Sequence, residues 1–248
     1  MQLKNKGYTN IVAMIPVRMG STRLKMKNLA LLNGKPLVYY AINAAKDSKV
    51  FSRIVVNSEE MCLKRLADKY KVDFYNRPEK LSSSSAKSDC VVYDFVKNNA
   101  CDIIVWVNTI SPLQTGEEIK GAVIYFIKNN LDSLIKVKDE QVHALYKNQP
   151  INFTIDKMFA QTQDLLPVKT FVYSLMMWKS KIFIDNFEKN GHAFFSGKIG
   201  FYPVNKLTSI IIKKDEDMMI VDAIMRMKAR NVNYRVSYDK IISKIKKS

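Results

Sequence analysis

Residues 11–36 read IVAMIPVRMGSTRLKMKNLALLNGKP. The apolar run Ile11–Ile15 ends at Pro16 and has the composition of a parallel strand buried on both faces. A polar loop follows, with Arg18, Gly20, Ser21, Thr22, Arg23, Lys25 and Lys27. Gly20 allows a ligand close to the backbone, and Ser21 and Thr22 add hydroxyl donors. The arginines and lysines supply the fixed positive charge that a polyphosphate needs. A basic loop at the carboxyl end of a first strand is where open α/β sheets bind nucleotides. The stretch is neither G-x-x-x-x-G-K-[ST] nor G-x-G-x-x-G, and basic loops after strands are common, so composition alone leaves a plain solvated loop open.

Outward from this stretch, strand and helix signals alternate. Helices are expected over Lys35–Lys46, Met61–Tyr70, Ser88–Asn98, Gly116–Asn129, Ser180–Asn190 and Asp215–Ala229. In the last of these, Met218, Ile220, Val221, Ile224 and Met225 face inward. Strands are expected at Arg53–Val56, Val72–Tyr75, Asp102–Val107, Ser133–Val137, Phe171–Trp178, Gly200–Val204 and Thr208–Lys213. The alternation predicts a parallel, right-handed doubly wound α/β sheet. Asn148–Leu166 breaks the pattern. It is polar and weakly periodic, yet carries Ile151, Phe153, Ile155, Met158 and Phe159. We therefore expect one domain over 1–248, with 146–170 as a protruding segment that packs on a second copy of the chain.

Composition narrows the function classes. The net charge of +17, from 40 basic and 23 acidic residues, favours polyanionic partners. The lysines are scattered rather than blocked, except in the tail Lys240–Lys247, and solvated faces account for them equally well. No aromatic RNA-binding motif or helix-turn-helix pattern is present, so nucleic-acid binding rests on charge alone. No 18-residue apolar run occurs and the first ten residues are polar, so neither a membrane span nor a signal core is expected. Cys62, Cys90 and Cys101 lack metal-ligand spacing and read as buried free thiols of a cytoplasmic protein. With two histidines, His143 and His192, far apart, a zinc site or a histidine triad is not expected.

Several blocks together carry a resemblance. Ile15-Pro16-Val17-Arg18-Met19-Gly20-Ser21, followed by Lys27-Asn28, is similar to the pattern I-P-A-R-x-G-S-x-x-x-x-x-K-N of the CMP-sugar synthetases. These are the acylneuraminate cytidylyltransferases, with the Kdo enzymes as cousins. Leu29–Ala45 is similar to the block that follows, and Arg77-Pro78-Glu79-Lys80-Leu81 and Asn108-Thr109-Ile110-Ser111-Pro112-Leu113-Gln114 come in the same order. The last stands where the family has L-Q-P-T-S-P-L-R. The resemblance spans roughly Ile11 to Ala229. It implies a Rossmann-like, nucleotide-diphospho-sugar transferase fold, a homodimer, and transfer of CMP from CTP to an anionic, sialic-acid-like acceptor. Carried over residue by residue, Arg18 and Lys27 clamp the triphosphate. Gly20, Ser21 and Thr22 line the phosphates, Asn28 sits near the ribose, and Arg77 and Ser88 contact the nucleotide. Asn108, Ser111, Gln114 and Tyr173 fall on the acceptor side.

The departures from the family concentrate in two places. Its metal signature I-D-x-D-x-x-E-D aligns with Ile210–Asp217, which puts Ile211 and Lys213 where the two aspartates belong. Lys213 could charge the phosphates directly, and Asp215 and Asp217 remain as candidate Mg²⁺ ligands, although the start of a helix explains them as well. R-P-N-G-x-x-Y becomes Phe171–Met177, which removes an arginine and an asparagine from the acceptor side. The strand-2 motif S-T-D becomes Asn57-Ser58-Glu59. Three readings follow: a cytidylyltransferase, a nucleotide-binding pseudoenzyme on the same fold, and, on charge alone, a nucleic-acid binder.

Overall fold

The run Ile11–Pro16 forms β1, an interior strand of a seven-stranded sheet, in a computed structural model that describes residues 9–20, 24–83, 85–230 and 235–239. Its side chains alternate between two cores. Ile11, Ala13 and Ile15 enter one, and Val12 and Met14 the other, which is why the run has to be apolar throughout. The remaining strands are β2 (Arg53–Ser58), β3 (Asp73–Asn76), β4 (Ile103–Val107), β5 (Ser133–Glu140), β6 (Val168–Lys179) and β7 (Ile199–Pro203). Their order across the sheet is β7-β5-β6-β4-β1-β2-β3.

Helices cover both faces. On one side lie α1 (Leu37–Ser48), α2 (Cys62–Lys69) and α4 (Gly116–Lys128). On the other lie α3 (Ser88–Asn98) and α5 (Ser180–Asn190). The helix α6 (Asp215–Ala229) closes a third, smaller core through Val221, with Leu32, Leu37, Leu113 and Ile212. The fold is thus the doubly wound, mostly parallel α/β sheet that the alternation predicts.

Some expectations need correction. The strand β6 runs antiparallel to both of its neighbours, β4 and β5. The connection from β5 to β6 holds a short hairpin and one 3₁₀ turn but no crossover helix, and an antiparallel neighbour needs none. Thr208–Lys213 is not a strand. The Asn205 side chain accepts the amides of Leu207 and Thr208 at 2.9 Å each, which bends the chain into turns. A single backbone bond, Ile212 N–H to the Ile110 carbonyl at 2.8 Å, then ties this segment to the end of β4.

The helix expected from Lys35 starts at Leu37, because Leu31-Leu32 and Lys35-Pro36 pair around Asn33-Gly34. Both turn residues have positive φ, 45° and 74°, the combination that a two-residue hairpin turn requires. Ile220 faces solvent on α6 and Cys62 is exposed at the start of α2, so neither is buried as expected. Among the described residues, no helix is long and apolar enough to cross a membrane.

Candidate active site

The strand order reverses at β1, which leads to β2 on one side and β4 on the other. A cleft of about 330 Å³ opens beyond the carboxyl ends of these two strands. Six of the residues singled out from the sequence line it: Arg18, Lys27, Asn28, Arg77, Ser88 and Asn108. They come from the loop after β1, the 3₁₀ turn Lys27–Leu29, the segment after β3, the first residue of α3, and the end of β4.

A hydrogen-bond frame holds them. Asn28 donates from Nδ2 to the Arg18 carbonyl at 3.1 Å and accepts at Oδ1 from the Thr109 hydroxyl at 2.6 Å, so it locks the loop after β1 to the loop after β4. Arg77 is 4% exposed. Its Nη2 donates to the Val17 carbonyl at 3.3 Å and to Glu59 Oε2 at 2.6 Å, while the other carboxylate oxygen of Glu59 accepts the Met19 amide at 3.2 Å. Burial would raise the Glu59 pKa, but its own amide, the Met19 amide and the Arg77 guanidinium together hold it below the usual carboxylate range. The pair therefore stays ionised and fixes the backbone of the basic loop from beneath. Lys27 reaches across to the Ile212 carbonyl at 3.2 Å, and Arg18 Nη1 donates to the Ser83 carbonyl at 3.4 Å.

Other expected residues stand elsewhere. Ser21 and Thr22 lie outside the described residues, and Gly20 is exposed just before them. Ser111 is buried, with its hydroxyl donating to the Thr208 carbonyl at 2.7 Å. Gln114 is buried, and its Oε1 accepts from Lys136 Nζ at 2.8 Å. Tyr173 is exposed on β6 beside Phe171. Lys213 is exposed, one residue beyond the carbonyl that Lys27 contacts. Asp217 Oδ2 accepts the amides of Lys213 and Lys214 at 2.7 and 2.9 Å, which caps α6, and Asp215 is exposed in its first turn.

Among the described residues, no three of the His, Cys, Asp and Glu side chains gather where they could share a metal ion. Mg²⁺ asks for near-octahedral oxygen ligation, and a carboxylate already turned to two backbone amides beside an exposed one does not supply a built site.

Glu59, Thr109 and Trp106 belong to the site but were not selected as site residues from the sequence. Glu59 registered there only as a departure from S-T-D, yet the position still carries a carboxylate. Thr109 lay inside a matched block. Trp106 gave no signal, since one more large apolar residue in a buried strand is ordinary. No described residue that lines the cleft carries a carboxylate or an imidazole. The arrangement offers charge and hydrogen-bond donors to an anion rather than acid–base groups.

A model of the family described as Cytidylyltransferase matches residues 12–234. An N-acylneuraminate cytidylyltransferase of Streptococcus agalactiae serotype V is 26% identical over 254 residues, covering 94% of this chain. The chain spans 59% of that relative's length. The post-translational flagellin modification protein B of Campylobacter coli is 24% identical over 89% of this chain and 97% of its own length. The solved structure of CMP:2-keto-3-deoxy-manno-octonic acid synthetase complexed with CTP superposes with a TM-score of 0.66 at 12% identity, over 89% of this chain and all of that one, a likeness of fold.

Proposed function

This chain belongs to the cytidylyltransferase family, and from that premise we propose that it transfers CMP from CTP to a small anionic, nonulosonic-acid-like acceptor with release of pyrophosphate. The observation that carries the reading is the convergence of Arg18, Lys27, Asn28, Arg77 and Ser88 on one cleft at the ends of β1 and β4. In the reaction an acceptor hydroxyl oxygen attacks the α-phosphorus. The bond from that phosphorus to the bridging oxygen breaks, pyrophosphate leaves with the electron pair, and the hydroxyl proton passes to solvent. Arg18 and Lys27 neutralise the charge that moves onto the leaving group, and Lys213 approaches from the α6 side. The ion pair Arg77–Glu59 and the bonds of Asn28 hold the Arg18 and Thr109 backbones at a fixed spacing before the nucleotide enters. Asn108, just beyond β4, and Tyr173, in the middle of β6, flank the acceptor side. The reaction depends on Mg²⁺ less than on the cations Arg18, Lys27 and Lys213. We also propose a homodimer, working in the cytoplasm, with 146–170 at the interface.

Pyrophosphate release with CTP and a panel of acidic sugars tests this reading. Turnover that survives EDTA and is lost in Lys213→Ala supports the cationic version. A strict Mg²⁺ requirement with Lys213→Ala harmless overturns it. The second reading, a nucleotide-binding pseudoenzyme, is favoured by the commitment of Asp217 to the α6 cap. Binding of CTP without pyrophosphate release from any acid would select it.

A further inference from the structure

The chain has two tryptophans, and they are treated differently by the fold. Trp178 on β6 is fully buried, and its Nε1 donates to the Phe194 carbonyl at 2.8 Å. Trp106, the penultimate residue of β4, is only partly buried and lines the cleft. Its Nε1 is shut off from solvent and has no acceptor among the described residues. A buried donor without a partner carries a desolvation cost that a folded chain rarely keeps without a reason.

The surroundings of the ring indicate what its cleft-facing part would meet. Trp106 pairs across the sheet with Met14 of β1 and Met176 of β6. Leu81, Ala86 and Val91 complete an apolar wall with it in the cleft, and Arg77 and Ser88 bring polar groups to the same wall. Arg77 also keeps its Nε unpartnered and buried. A flat, apolar-faced ring with oxygen acceptors at its edge fits this set. Of the parts of CTP, only the pyrimidine has that chemistry.

We propose that Trp106 is a specificity-determining residue: its indole is the surface against which the pyrimidine of CTP packs. The inference rests on the cytidylyltransferase reading, and it adds a residue that the reading does not require.

Because Trp178 is buried and already bonded, a ligand-dependent change of tryptophan emission reports on Trp106. The test titrates the full chain with CTP and with inorganic tripolyphosphate, following emission and heat in parallel, and repeats the CTP titration on Trp106→Phe and Trp106→Leu. We expect CTP to change the emission and tripolyphosphate to leave it unchanged. Trp106→Phe keeps an aromatic face of smaller area, so CTP should bind about threefold more weakly. Trp106→Leu loses the aromatic face altogether and should weaken binding by tenfold or more. Trp106→Phe is a modest change in volume and carries the test even if Trp106→Leu fails to fold. Heat of CTP binding with constant emission and an unchanged Trp106→Phe affinity would overturn the proposal and leave the cytidylyltransferase reading standing. The same emission change with tripolyphosphate alone would also overturn it. The absence of any CTP binding heat in the unmodified chain would overturn the nucleotide reading itself.

Discussion

Arg18 and Lys27 line the cleft from the two ends of one loop, with Arg18 Nη1 on the Ser83 carbonyl and Lys27 Nζ on the Ile212 carbonyl. Each charge-assisted bond to a phosphate contributes on the order of 1.5–3 kcal/mol, so Arg18→Ala or Lys27→Ala should weaken CTP binding about tenfold or more. Calorimetric titration reads this, with thermal melting as the control for stability. Unchanged affinity in both variants would remove the nucleotide site from this cleft. Lys136 poses a different question. It is 0% exposed on β5 and meets the neutral Gln114 oxygen. Burial pulls its pKa from 10.5 down to about 8, against the opposing pull of the Glu118 carboxylate. Between those two values the unfolded chain holds a proton that the folded chain has released. Stability contributed at this position is thus full above about pH 10.5 and is lost as the pH falls toward 8. Lys136→Met keeps most of the stem and removes the titration. Relative to the unmodified chain, its stability should fall between pH 8 and 10.5 by on the order of 3 kcal/mol at most. Urea melts of both proteins across that range measure the difference, and parallel curves would show that the ammonium is not held as described.

The helix α4 shows how one element carries several duties. Thr115 accepts the Glu118 amide at 3.2 Å while Glu118 returns a bond to the Thr115 amide at 3.2 Å, a reciprocal cap. Glu118 also takes the Thr208 hydroxyl at 2.5 Å, so the cap anchors the chain segment that leads to α6. Gly116, the first residue of α4, lies against the end of α1, where an added Cβ would come within 2.6 Å of the Asp47 backbone carbon. Backbone cannot yield as a flexible side chain does, so Gly116→Ala must push the two helices apart. Its cost is expected at about 1–3 kcal/mol, the range of overpacked core substitutions, despite the better helix propensity of alanine. A denaturant midpoint at or above that of the unmodified chain would contradict the close packing of α1 on α4.

At the scale of the whole molecule, the segment between β5 and β6 presents apolar side chains that its own sheet does not cover. Met158 is 96% exposed, and Ile155, Phe159 and Leu166 are each more than three-quarters exposed. His143 stacks on Phe159 at 4.1 Å and meets Phe153 edge-on, so the segment has an internal order of its own. Apolar area of this kind is ordinarily covered by a partner, and a second copy is the partner proposed here. Light scattering at micromolar concentration should give twice 28.5 kDa, and Met158→Asp with Phe159→Asp should shift it toward the monomer. A monomeric mass for the unmodified chain would refute the interface.

The sequence alone determined what depends on local pattern. The apolar run Ile11–Ile15, the period of Ser88–Asn98 and Asp215–Ala229, and the order of the matched blocks were legible because strand burial, helix amphipathicity and motif spacing are properties of neighbours along the chain. The antiparallel direction of β6, the loss of a strand at Thr208–Lys213 and the burial of Lys136 were not legible. Each depends on which segments meet across the sheet and on which backbone groups are already bonded. The candidate site divides in the same way. Arg18, Lys27 and Asn28 announce themselves by spacing. Glu59 beneath Arg77, Thr109 on Asn28 and Trp106 in the cleft wall are joined only by chain reversals of 18 to 81 residues. Only the tertiary structure decided those, because the hydrogen bonds and desolvation that give such residues their roles exist only after the strands have come together.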